Sequence, residues 1–163
     1  MNVNTTTPFP HSKLVLNNSL EERKLINILC LNCYGLQKRL NYNEFQELIS
    51  KYDILWFVES KSDDLDFFDI PGYEVKMKNR KKVAKVKSGG IIIAYKTEIS
   101  DKIQLIATES KFVLWFKIAS TYLSLEEDIV VGVVYIPPRK YLMFLSWFIY
   151  SNRKRIYRYF TKL

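Results

Sequence analysis

Hydrophobic and polar positions alternate along the chain in blocks. Leu25–Leu31 (LINILCL) is a short apolar run between polar flanks, the form of a strand buried on both faces. It runs into Asn32-Cys33-Tyr34-Gly35, where the glycine predicts a turn. Phe45, Leu48, Ile49 and Tyr52 follow at i, i+3, i+4 and i+7, which predicts an amphipathic helix capped by Asn41 or Asn43. Asp53–Val58 (DILWFV) is a second buried strand with Glu59 at its end. Strand, helix, strand predicts a parallel pair joined by a crossover. Beyond the Pro71-Gly72 turn, Tyr73–Lys78 reads as an edge strand. Ile91–Tyr95, Lys102–Ile106, Phe112–Ile118 and Ile129–Ile136 read as further strands. Strands in direct succession make antiparallel neighbours, so the expected fold is α/β with a mixed sheet. Pro137-Pro138 lacks backbone donors and ends the last strand.

Composition narrows the class. With 163 residues, 48% hydrophobic and 15% aromatic, the chain has the material for one packed domain. Five glycines and five prolines exclude a collagenous or low-complexity chain. Two cysteines make no disulfide framework, and the first 25 residues show no secretory pattern. The expectation is therefore an intracellular protein, nuclear or cytoplasmic. Tyr141–Tyr150, the longest apolar run, is about half the roughly 20 residues needed to span a bilayer.

Charge changes the picture more. All 17 acids lie at or before Asp128, while residues 139–163 hold seven bases and no acid. Residues 76–87 hold another seven bases, again without an acid. In that stripe Lys78, Arg80, Lys81, Lys82, Lys85 and Lys87 are candidate nucleic-acid contacts; the plainer alternative is a solvated loop. The expected organisation is a loose arm over 1–23, a domain over 24–138 and an apolar-then-basic tail over 139–163.

Asn32 and Glu59 end two buried strands. In α/β sheets the carboxyl ends of parallel neighbours share one crevice, where ligands bind. An amide and a carboxylate there suit a hard cation; alternatively, Glu59 caps a loop and faces water. The segments LINILCLNCYGL, YDILWFVESKSDDLDFFDIPGYE, KSGGIIIAY and VVGVVYIPP, in this order with a helix after the first, resemble the endonuclease/exonuclease/phosphatase superfamily. The closest likeness is to the apurinic endonuclease-like domains of non-LTR retrotransposons, over roughly residues 25–138. The resemblance implies a four-layer α/β sandwich of two packed sheets and Mg²⁺- or Mn²⁺-dependent phosphodiester hydrolysis, with DNA as partner. It implies that Asn32 positions the scissile phosphate, that Glu59 holds the metal, and that Tyr135 stands near the phosphate.

The likeness stops after Pro138. The family continues to an Asp-and-Asn motif and an Asp-His motif. Here no acid follows Asp128, and the one histidine, His11, precedes the first strand. The expectation is a truncated, catalytically incomplete endonuclease-like domain. Two alternatives stay open: a remnant that binds nucleic acid without cutting, and a non-functional fragment. The tail reads as a membrane-surface contact, as a helix covering an exposed sheet, or as a stretch read past a frameshift. Cys30-x-x-Cys33 has redox or half-zinc spacing without a second ligand pair, which favours a structural role. Asp63, Asp64, Asp66 and Asp69 read as a solvated loop, and Ser88-Gly89-Gly90 as a turn.

Overall fold

The computed structural model of the chain describes residues 25–83 and 85–136, and the strands 144–151 and 154–161. Strand β1 (Ile28–Asn32) leads through the short helix α1 (Leu36–Arg39) to α2 (Asn43–Ile49) and then to β2 (Ile54–Val58). Strands β3 (Tyr73–Lys78) and β4 (Ile91–Lys96) complete a first sheet, ordered β1-β2-β4-β3. A 3-10 helix (Thr97–Lys102) then carries the chain to a second sheet of β5 (Ile103–Ile106), β6 (Val113–Ile118), β7 (Ile129–Ile136), β8 (Phe144–Ser151) and β9 (Lys154–Thr161). The short helix α3 (Ser120–Leu123) joins β6 to β7.

The expected parallel pair is present: β1 and β2 align Ile28 with Ile54 and Asn32 with Val58. Asp53 locks this register, accepting from the Asn27 N–H at 2.8 Å and from Lys96 Nζ at 2.9 Å. The β2–β4 and β4–β3 pairs are antiparallel, which makes the first sheet mixed and β3 its edge. The second sheet is antiparallel throughout.

The continuous apolar run of β2 is explained by what lies on either side of it. Ile54, Trp56 and Val58 pack with Ile91, Ile93 and Tyr95 against Leu114, Phe116, Val131 and Val133 of the second sheet. Leu55 and Phe57 face the other way, onto Leu36, Phe45 and Ile49 of the helices. Helix, sheet and sheet thus stack around β2. Alternation along β6 (Leu114, Phe116 and Ile118 buried) marks a strand with one face in that core.

Three expectations need correcting. The position before α2 is Tyr42, not Asn41 or Asn43, and no side chain caps it. Asn41 is taken up in the exit from α1, its N–H donating to the Lys38 carbonyl, while Tyr42's carbonyl receives the first helical N–H groups. Of the two sheets that the resemblance implies, only the first is mixed, and the second is antiparallel throughout. In the tail, residues 144–151 and 154–161 are strands, not a helix. Aromatic and branched residues dominate both segments, and such side chains favour extended backbone. β8 pairs antiparallel with β7, from Val130 with Tyr150 to Ile136 with Phe144. The arm 1–23 and Pro137-Pro138 lie outside the described residues. Among the described residues, no helix is long and apolar enough to cross a membrane.

Candidate functional site

The carboxyl ends of β1 and β2 meet the amino end of β4, and here the backbone departs from ordinary geometry. Tyr34 (φ 44°), Glu59 (φ 56°) and Lys61 (φ 52°) are left-handed without being glycine, and Gly35, Gly89 and Gly90 beside them also have positive φ. Left-handed non-glycine residues are uncommon, and they persist where surrounding contacts over-determine them. Those contacts are backbone hydrogen bonds: Gly35 N–H to the Glu59 carbonyl (2.8 Å), Leu36 N–H to the Ser60 carbonyl (3.0 Å) and Lys61 N–H to the Gly89 carbonyl (2.8 Å).

The left-handed turn at Glu59 decides where its carboxylate goes. Strict alternation after Leu55 and Phe57 would send it to the helix-covered face. The turn breaks the alternation, and the Tyr135 hydroxyl donates to Glu59 Oε1. Tyr135 belongs to β7 of the second sheet and is buried in the core between the sheets. The bond therefore joins two residues 76 positions apart, across the sandwich. Asn32 ends β1 opposite Val58, and by two-residue period it shares the face of Ile28 and Cys30, which pack into the same core. Its Oδ1 accepts from Tyr34 N–H at 3.2 Å, a local turn that ties the amide to the strained backbone.

Gly90 is where this corner tolerates least change. A Cβ there would stand 2.2 Å from Ser60 Oγ, whose hydroxyl is 2.7 Å from Ser62 Oγ in a buried pair. Ser62 in turn donates to Asn79 Oδ1 at 2.7 Å. Gly90→Ala is expected to cost about 1–2 kcal/mol from the left-handed backbone alone and more from displacing Ser60. Gly72→Ala, at φ 80° with nothing within 4 Å, carries the backbone cost only. Thermal unfolding of both variants checks this, and equal losses would show that the Ser60 contact is unimportant.

The basic stripe divides into engaged and outward-facing charges. Lys87 bridges Asp66 at 2.5 Å and Asp63 at 3.4 Å, and the hydrogen bond to Asp66 holds its ammonium above the usual range. Asp63 is 2% exposed, so this acidic loop grips the stripe instead of standing in solvent, contrary to the sequence expectation for Asp63 and Asp66. Asn79 Nδ2 donates to Asp64 Oδ1 and Asp64 N–H donates to the Lys82 carbonyl, which stitches the two loops together. Lys78 donates to the Thr108 carbonyl at 2.5 Å, and burial pulls its pKa down. Lys76 pairs with Glu74 on β3. Lys81, Lys82 and Lys85 are exposed, although Lys81 also reaches the Val86 carbonyl at 3.2 Å.

Arg80 links the stripe to the Glu59 corner. Its Cδ and Tyr135 Cε1 lie 3.1 and 3.5 Å from the point a Gly89 side chain would occupy. Its guanidinium stands 6.0 Å from the Phe112 ring centre, and the Phe112 carbonyl accepts from Tyr135 N–H at 2.9 Å. On the other side of Glu59, Lys61 Nζ lies 3.0 Å over the centre of the Tyr34 ring. Sequence reading missed Tyr34, Lys61, Ser60, Ser62 and Phe112. The one local signal was Gly89-Gly90, whose positive φ lets two carbonyls meet the Ser60–Lys61 backbone.

Two oxygen-bearing side chains end the neighbouring strands β1 and β2: the Asn32 amide on the last residue of β1 and the Glu59 carboxylate one residue past β2. An amide and a carboxylate are donors of the kind a hard cation such as Mg²⁺ or Mn²⁺ takes, commonly with only one or two protein carboxylates and several waters. Among the described residues, no group of three or more His, Cys, Asp and Glu side chains is placed to hold a metal. Burial pushes the Cys30 and Cys33 thiols up to about 11, which makes thiolate scarce at neutral pH, and Cys33 Sγ donates to the Val58 carbonyl at 3.2 Å. Both cysteines are free; Cys30 lies within β1, and Cys33 lies just past its end, buried with Leu36 and Phe45 of the helices. The sequence matches no protein-family model and no curated protein.

Proposed function

We propose that the chain is an endonuclease/exonuclease/phosphatase-like domain whose Glu59–Tyr135 corner receives a phosphodiester, with a catalytic set that is incomplete within this chain. The observation that carries the reading is the bond from the Tyr135 hydroxyl to the Glu59 carboxylate across the two sheets. The resemblance assigns both residues to one phosphate site, and nothing in their spacing requires them to meet. In this reading the helix–sheet–sheet stack supplies three layers of a four-layer sandwich.

Each side chain then has a role. Tyr135 orients the Glu59 carboxylate and holds one of its oxygens. Asn32, fixed by its turn to Tyr34, presents an amide at the end of the neighbouring strand. Arg80 brings positive charge to the same corner, and Lys81, Lys82 and Lys85 continue it outward along the stripe. Glu59 would hold Mg²⁺ or Mn²⁺, which when bound neutralises charge developing on a phosphoryl group.

General-base and electrostatic partners contribute orders of magnitude each. The chain has no acid after Asp128 and no histidine but His11 to supply the family's later motifs. Supercoiled plasmid with Mg²⁺ is therefore expected to be bound but nicked no faster than a buffer control. Strong nicking that Glu59→Gln abolishes would overturn the incomplete-set reading. Absence of any salt-sensitive DNA binding would overturn the phosphodiester reading itself.

A further inference from the structure

Two exposed rings, each with a cation, flank the Glu59–Tyr135 corner. Tyr34 is 70% exposed, with Lys61 Nζ 3.0 Å over its ring centre. Phe112 is 40% exposed, with the Arg80 guanidinium 6.0 Å from its ring centre. The row is continuous by contact. The Gly35 N–H following Tyr34 donates to the Glu59 carbonyl, Glu59 receives the Tyr135 hydroxyl, and Tyr135 N–H donates to the Phe112 carbonyl. Tyr34 and Lys61 are both held left-handed, so the first ring is presented by a fixed backbone.

Ring beside cation, repeated on both sides of a carboxylate corner, is poorly explained by stability. An exposed ring–cation pair contributes about 0.5–1 kcal/mol, less than the roughly 1–2 kcal/mol that a left-handed non-glycine residue costs. Proteins that bind single strands combine cations along the backbone with rings on which bases stack. We infer that this row binds unpaired nucleotides, with Tyr34 and Phe112 stacking on bases on either side of a phosphate held between Lys61 and Arg80. The inference rests on the phosphodiester reading and narrows it from nucleic acid in general to single strands. In a duplex the bases stack on one another and their faces are closed to the rings.

The test uses the full chain and three labelled probes of equal length: an oligothymidine strand, an abasic strand of the same charge, and a duplex. Anisotropy titration at one salt concentration is expected to show oligothymidine bound tighter than the abasic strand by at least 5-fold, the lower end for one stacked base. Tyr34→Ala is expected to lower oligothymidine affinity about 10-fold while leaving the abasic and duplex affinities unchanged. Tyr34→Trp should retain or raise it. Because Tyr34 is largely exposed, its truncation removes little packing; circular dichroism checks the fold, and Phe112→Ala provides a second variant with the same expected pattern. Equal affinity for oligothymidine and abasic strand, or equal loss on all three probes, overturns the stacking inference and leaves phosphate binding standing. Binding to none of the probes overturns the phosphodiester reading and the inference with it.

Discussion

Phe116→Ala is expected to destabilise the protein by about 3–5 kcal/mol, the range for deleting a fully buried aromatic side chain. Phe116 is 0% exposed at the middle of β6, and its ring meets Trp56 of the first sheet edge-on, with centres 5.9 Å apart and planes at 63°. The pair sits where the two sheets face each other, among Val58, Ile93, Val131 and Val133. Such a loss is a large part of the roughly 5–15 kcal/mol that holds a domain folded. At roughly 2–4 °C per kcal/mol for a chain of this size, the midpoint should fall by about 6–20 °C. Leu105→Ala, at a side chain 40% exposed on β5, should stay within about 0.5 kcal/mol. A thermal melt in which the two variants behaved alike would mean that the sheets do not pack through Phe116. The site depends on the same packing, since Glu59 and Tyr135 stand on different sheets and meet only while those sheets stay docked.

Much of this fold was legible because burial and sequence pattern coincide. Asp53–Val58 reads as a strand buried on both sides, and β2 has a sheet on one face and helices on the other. The parallel pairing followed from an amphipathic helix between two apolar runs, and the register is the one Asp53 locks. The split into two sheets was not legible from the strands alone, because nothing in Lys96–Ile103 announces that the 3-10 helix hands the chain to a new sheet. The tail misled for a related reason: Tyr141–Tyr150 is apolar at almost every position, which fits a covered helix as well as a strand.

The site was legible as separate residues and illegible as an arrangement. Asn32 and Glu59 stood out as polar ends of apolar runs. What brings Glu59 to Tyr135 is a left-handed φ at residue 59, a conformation for which glutamate carries no preference. The stripe shows the same limit. Sequence counts seven like charges over residues 76–87, but Lys87's partners are Asp66 and Asp63, 21 and 24 positions back. Ion pairing over such separations is a property of the loops' docking, and no local pattern encodes it.

That partition sets the second large effect. With Arg80, Lys81, Lys82 and Lys85 facing the backbone of the duplex probe, the stripe should contribute about −3.6 to the slope of log K against log salt, at −0.9 per neutralised phosphate of B-DNA. Changing Lys81, Lys82 and Lys85 together to Gln should make the slope of the full chain shallower by about 2.7. Between 50 and 200 mM salt, that difference is worth about 40-fold in how much affinity the parent loses relative to the variant. Ending the chain at Pro138 to remove the tail's seven bases would take β8 away from β7, so the full chain is the right protein; the tail's own salt dependence cancels in the comparison. Lys87→Gln is the contrasting variant. Its ammonium is held by Asp66 and Asp63, so neutralising it should leave the slope unchanged while lowering the unfolding midpoint. A triple variant with the parent's slope, or a Lys87 variant with a shallower one, would mean that the engaged and outward-facing charges have been assigned the wrong way round.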